Sequence, residues 1–130
     1  MSRDRLMLKN PTAVHQLCDL AFQGARAYAE AILKTGCTPS LTDAMSSTTV
    51  ISPKQFAEFG QPYLQRLVKF IHSHGRSVTL HICGKTAPIW NAMADTGADC
   101  LSLDNAADLE AAKQQIGHRV RLQSAGGNAV

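Results

Sequence analysis

Apolar positions near the start of the chain repeat at the spacing of a single helical face. Val14, Leu17, Cys18, Ala21, Ala25, Tyr28, Ala29 and Ile32 are separated mostly by three or four residues. Asn10-Pro11 has the form of a helix cap followed by proline in the first turn, and Gly36 ends the pattern. A short strand-length segment, Cys37 to Asp43, follows and gives way to the polar run Ala44-Met45-Ser46-Ser47-Thr48-Thr49. The next helix carries the clearest start signal. Ser52 is an N-cap, Pro53 occupies the first position, Gln55 completes a capping box, and Ile51 is placed to staple against Phe56. Phe56, Phe59, Tyr63, Leu67, Phe70 and Ile71 mark its inward face and Gly75 its stop. Pro62, in the interior, should remove one backbone bond and kink the helix.

The pattern then alternates. Ser77 to Cys83 reads as a strand, and Thr86 as the cap of a helix from Ala87 to Asp95 with Ile89, Trp90 and Met93 inward. Asp99 to Leu103 is a third strand. Asn105 is placed to cap a helix from Ala106 to Ile116 with Asp108 in its first turn, and Arg119 to Gln123 forms a fourth strand. Helices alternating with short strands predict parallel βα units. A complete (β/α)8 barrel needs about 250 residues, so the expected fold class is α/β, of the TIM-type barrel family, present as roughly half a barrel of about four parallel strands. Residues 1–130 then form one partial barrel domain, and a small doubly wound sheet is the alternative. Exposed sheet edges would allow pairing with a second copy.

Composition narrows the function only by exclusion. The 130 residues are 45% hydrophobic and 18% charged, the balance of an ordinary globular protein. The net charge of +3 comes from scattered Lys and Arg, which argues against nucleic-acid binding. The N-terminus lacks the apolar core of a signal peptide and the apolar runs are short, so a cytoplasmic setting without membrane insertion is expected. Cys18, Cys37, Cys83 and Cys100 are irregularly spaced and read as reduced thiols, with Cys18 in the core.

The chemistry concentrates in Leu80-His81-Ile82-Cys83-Gly84. Residues two apart on a strand share a face, so the His81 imidazole and Cys83 thiol can converge on one ion while Val78, Leu80 and Ile82 point the other way. A bare His-x-Cys also fits a core histidine beside a buried thiol. The position at a strand's carboxyl end, where parallel α/β folds bind ligands, favours a metal such as zinc. Asp43 and Asp104 end the neighbouring strands and are candidate substrate-binding residues, each with a turn- or helix-capping alternative. A third ligand would have to be Asp104, a loop residue or a group this chain lacks, since Cys37 and Cys100 lie at the opposite strand ends. His15, His72, His74 and His118 read as structural or solvated, and Gly126-Gly127-Asn128 as a weak candidate anion-binding loop.

Taken together, these residues resemble the uroporphyrinogen decarboxylase superfamily, in particular its methylcobalamin:coenzyme M methyltransferase branch. The resemblance rests on Asp43 with small polar residues after it, Ile51-Ser52-Pro53-Lys54-Gln55-Phe56 with Pro62-Tyr63, His81-Ile82-Cys83-Gly84, and Ser102-Leu103-Asp104. It implies a TIM-like barrel with zinc held by His81, Cys83 and a later cysteine that has no counterpart here. It also implies a corrinoid, or corrinoid protein, as methyl donor and a small-molecule thiol as acceptor. The family segment carrying the decarboxylase's arginines and catalytic aspartate has no match, and Gly127-Asn128-Ala129-Val130 lacks the family's acidic residue and proline after Gly-Asn. The expectation is a thiol methyltransferase part that is inactive alone. The alternatives are tetrapyrrole decarboxylation, which gives no reason for two soft ligands, and a non-catalytic scaffold.

Overall fold

The computed structural model describes residues 7–125. Helix α1 (Pro11–Lys34) leads into β1 (Leu41–Asp43), followed by α2 (Pro53–Gln55), a π-helical turn (Phe56–Gly60) and α3 (Gln61–His72). Strand β2 (Thr79–Ile82), a 3-10 turn (Ala87–Ile89) with α4 (Trp90–Ala94), β3 (Cys100–Leu103), α5 (Leu109–Ile116) and β4 (Arg121–Ser124) complete the order. The four strands form one sheet in the order β1-β2-β3-β4, every neighbouring pair parallel. The sheet is not closed among the described residues, so the expected part-barrel arrangement is the one observed.

Register defines the two faces. Leu41, Leu80, Leu101 and Leu122 align across the sheet, and all four are buried in the core together with Ile71, Met93 and Ile116 of the helices. Burying each of these large side chains contributes about 1.5–3 kcal/mol. One residue further along each strand, Thr42, His81, Ser102 and Gln123 align on the opposite face. That alternation separates an apolar, helix-covered side from a polar side carrying the candidate chemistry.

The predicted caps fare unevenly. Asn10 accepts from the Ala13 amide, and Ser52 and Gln55 make the reciprocal capping box. The strain of Pro62 is absorbed by the π turn before it, where the Gln61 amide reaches back to the Phe56 carbonyl in place of the residue-57 carbonyl. Four sequence expectations are corrected. Thr86 does stand at the N-cap of the 3-10 turn, but its side chain does not cap it: it is buried, and its hydroxyl accepts from Trp90 Nε1 at 3.1 Å. Asn105 is not the cap of α5 either. The chain turns from Asp104 to Ala107, and Asp108 caps the helix by accepting from the Ala111 amide. The apolar stripe of α1 is buried only at Val14 and Ala29, whereas Leu17 and Tyr28 are 60% and 72% exposed. Helix α1 packs on α3 and the π turn, and its stripe from Cys18 to Ile32 borders an open groove of about 500 Å³ lined also by β1 and α3. Cys18 lines this groove, half-buried, and is not a core residue; burial still raises its thiol pKa.

Candidate metal centre

Strand β2 presents alternate residues to opposite sides. Leu80 and Ile82 are fully buried on the helix side, while His81 and Cys83 are only half-buried. The i, i+2 spacing brings His81 Nε2 to 3.1 Å from Cys83 Sγ. The other ring nitrogen, Nδ1, lies 2.9 Å from the Ser102 carbonyl and 3.1 Å from its hydroxyl. A carbonyl oxygen only accepts, so in the neutral ring Nδ1 carries the proton and Nε2 offers its lone pair toward the thiol.

The loop after β2 is pinned from both sides. Gly84 adopts φ +81°, a conformation that glycine takes without a Cβ penalty, and a Cβ there would also approach Ser47 Oγ to 3.2 Å. From the β1 side, the Thr48 amide and hydroxyl both donate to the Lys85 carbonyl, at 2.9 and 2.7 Å. From the β3 side, the Asp104 carboxylate accepts from the Gly84 amide at 2.7 Å. The Gly84 bond, further amide bonds from Asn105 and Ala106, and the nearby His81 hold the Asp104 pKa below the ordinary carboxylate value.

Asp43 sits apart from this group. It is in register with Ile82 rather than with His81, and it lines the groove between α1 and α3. Its carboxylate accepts from the Met45 amide at 3.1 Å and the Ser46 hydroxyl at 2.5 Å, ordering the turn after β1. The structure therefore brings His81, Cys83 and Asp104 to one strand-tip region, while Asp43 orders the turn after the neighbouring edge strand. Cys37 is exposed before β1 and Cys100 lies at the start of β3, both away from the tips. The remaining histidines have mixed settings. His72 pairs with Asp99 at 2.8 Å, and His74 bonds within the end of α3. His15 is not simply solvated, because its ring bonds the Tyr63 hydroxyl at 2.9 Å. Gly126-Gly127-Asn128 lies outside the described residues.

The donor set can be tested against zinc. Tetrahedral bonds of about 2.1 Å to nitrogen and 2.3 Å to sulfur place the two donors about 3.6 Å apart. The observed 3.1 Å needs only a small opening of the two side chains. His81 and Cys83 fit as two ligands. Among the described residues, no group of three or more His, Cys, Asp or Glu side chains gathers for a metal, and the Asp104 carboxylate is committed to backbone amides.

Ser102 had no assigned role from sequence. Its signal is the Ser102-Leu103-Asp104 spacing, which repeats on β3 the i, i+2 arrangement of His81 and Cys83 on β2.

The family profile described as "Uroporphyrinogen decarboxylase (URO-D)" matches residues 3–128. A uroporphyrinogen decarboxylase from Shewanella loihica is 32% identical over 122 residues, covering 92% of this chain and 34% of the relative. The methylcobamide:CoM methyltransferase MtaA from Methanosarcina barkeri is 35% identical over 117 residues, covering 88% and 34%. A solved methyltransferase from Methanosarcina mazei superposes with a TM-score of 0.82 at 29% identity, covering 91% of this chain and 35% of that one. The chain thus spans about a third of the length of the curated relatives it matches.

Proposed function

We propose that this chain, which belongs to the uroporphyrinogen decarboxylase (URO-D) family, is the zinc-ligating part of a corrinoid-linked enzyme that moves a methyl group to a thiol. The observation carrying this reading is the convergence of His81 Nε2 and Cys83 Sγ at 3.1 Å. Two soft donors at a strand tip suit a thiophilic metal, whereas decarboxylating a tetrapyrrole carboxylate gives them no task.

His81 and Cys83 would hold the zinc, and when bound it supplies a positive charge that deprotonates a coordinated substrate thiol into a nucleophile. The chain's own residues do the rest by position. The Ser102 carbonyl keeps the His81 proton on Nδ1. Gly84, held by Asp104, fixes the turn directly after Cys83. Asp43 is proposed as a substrate-orienting group reached through the groove, with the ordered turn at Ser46 holding its carboxylate. Two ligands leave an ion largely hydrated, so the 130-residue chain should bind zinc weakly and not turn over alone.

The test is a chimera in which this chain replaces the matching segment of the M. barkeri relative. Methyl transfer from methylcobalamin to a small thiol should occur in the chimera and fall to background with Cys83→Ser or His81→Ala. Conversion of uroporphyrinogen by the chimera, unaffected by Cys83→Ser, would overturn the reading in favour of decarboxylation.

A further inference from the structure

We infer that the tip of β3 is a positioning device for both halves of the His81–Cys83 pair, with Ser102 setting the imidazole and Asp104 setting the thiol. The inference rests on the zinc-ligating reading above and gives two β3 residues separate tasks within it.

The geometry is that of two neighbouring parallel strands with matched alternation. Ser102 is the register partner of His81, so their side chains leave the sheet on the same face. The hydroxyl and carbonyl of Ser102 both lie within hydrogen-bond reach of His81 Nδ1, at 3.1 and 2.9 Å. Two acceptors on one N–H hold the ring plane as well as its tautomer. Ser102 is 8% exposed, so water competes little for these bonds. Two residues further along β3, Asp104 accepts from the Gly84 amide at 2.7 Å, adjacent in sequence to Cys83. A charged acceptor on a backbone amide makes a stronger bond than a neutral one. Its grip on Gly84 is matched from the β1 side by Thr48, which donates to the Lys85 carbonyl. Cys83 is therefore followed by a turn tied down on both flanks, and its Sγ is directed toward Nε2.

Asp104 thus acts through Gly84 and is a positioning residue, with its oxygens already committed to amides. The charge it places near His81 favours a cation in the same region.

The experiment reads the metal-free chain and its zinc affinity separately. Imidazole 15N shifts should show His81 as the Nδ1–H tautomer, and the Gly84 amide proton should lie downfield and return toward ordinary values in Asp104→Ala. In competition with a chromophoric chelator, Ser102→Val and Asp104→Ala should each weaken zinc binding by about 10-fold or more, the scale at which outer-shell partners act. Ser102→Thr, which keeps the hydroxyl, and Asp104→Asn, which keeps an acceptor oxygen, should retain most of the affinity. An Nε2–H tautomer, or zinc binding unchanged in both Ser102→Val and Asp104→Ala, would overturn the inference. If the unaltered chain binds no zinc, the proposed function falls, and the tautomer and the Gly84 shift alone decide whether β3 positions the pair.

Discussion

Ser52 and Gln55 exchange hydrogen bonds of 3.2 and 2.8 Å across the first turn of α2, each satisfying an amide that the helix itself cannot. Ser52→Ala should cost about 1 kcal/mol, read as a lower urea midpoint; an unchanged midpoint would mean the cap contributes nothing. Asp99 makes a second residue-scale prediction. It accepts from His72 at 2.8 Å and from the Val78 amide at 2.7 Å, and the His72 bond, with that from Val78, lowers its pKa. A carboxylate with a depressed folded pKa stabilises the native state fully above its unfolded value of about 3.9 and loses that contribution as pH falls through the folded value. Asp99→Asn should therefore flatten the loss of stability below about pH 4 relative to the unaltered chain. Equal acid slopes for the two proteins would show that the His72–Asp99 pair does not survive in solution. Residue chemistry was legible in sequence where the partner is local, as for Asn10 and Ser52. It was not where a side chain has a competing partner: Thr86 has the form of a cap, yet its hydroxyl is taken by the Trp90 indole one helical turn on. Ser102 went without a role because its partner sits 21 residues away on another strand.

At the scale of elements, the segment from Pro53 to His72 shows how a local rule is met without the expected outcome. A proline inside a helix removes an amide and crowds the preceding turn. Here the chain widens into a π turn instead of breaking, and Pro62 then occupies the first turn of α3, where its missing amide costs nothing. The widened turn sets Gly60 against the Phe56 ring, and a Cβ at residue 60 would come within 2.8 Å of Phe56 Cδ2. Phe56 is fully buried, so its ring has little room to move. Gly60→Ala should thus destabilise the protein by about 1–3 kcal/mol through overpacking, although helix propensity alone favours alanine by about 1 kcal/mol. A rise in thermal midpoint in that variant would show that the π turn relaxes to a regular helix. The helices and strands were themselves readable from periodicity and glycine stops. Boundaries were less so: β1 is confined to Leu41–Asp43, since Pro39 lacks an amide for a ladder and the strand forms only where it meets β2.

For the molecule as a whole, the parallel order β1-β2-β3-β4 puts the carboxyl ends of all strands on one side. That arrangement was legible from the alternation of helix and strand, and with it the site of His81 and Cys83. The role of Asp43 was legible only as one of two alternatives: register sets it beside Ile82, and its carboxylate orders the turn after β1. Nor could periodicity show that the stripe of α1 lacks a full set of neighbours, leaving Leu17 and Tyr28 exposed. No helix among the described residues is long and apolar enough to cross a membrane. The central claim is that His81 and Cys83 act together on one metal ion, and cobalt(II) titration tests it most directly. The unaltered chain should develop a weak-binding thiolate-to-cobalt absorption that disappears in Cys83→Ser and shifts or disappears in His81→Ala. No such absorption at saturating cobalt, or a band that survives Cys83→Ser unchanged, would contradict the account.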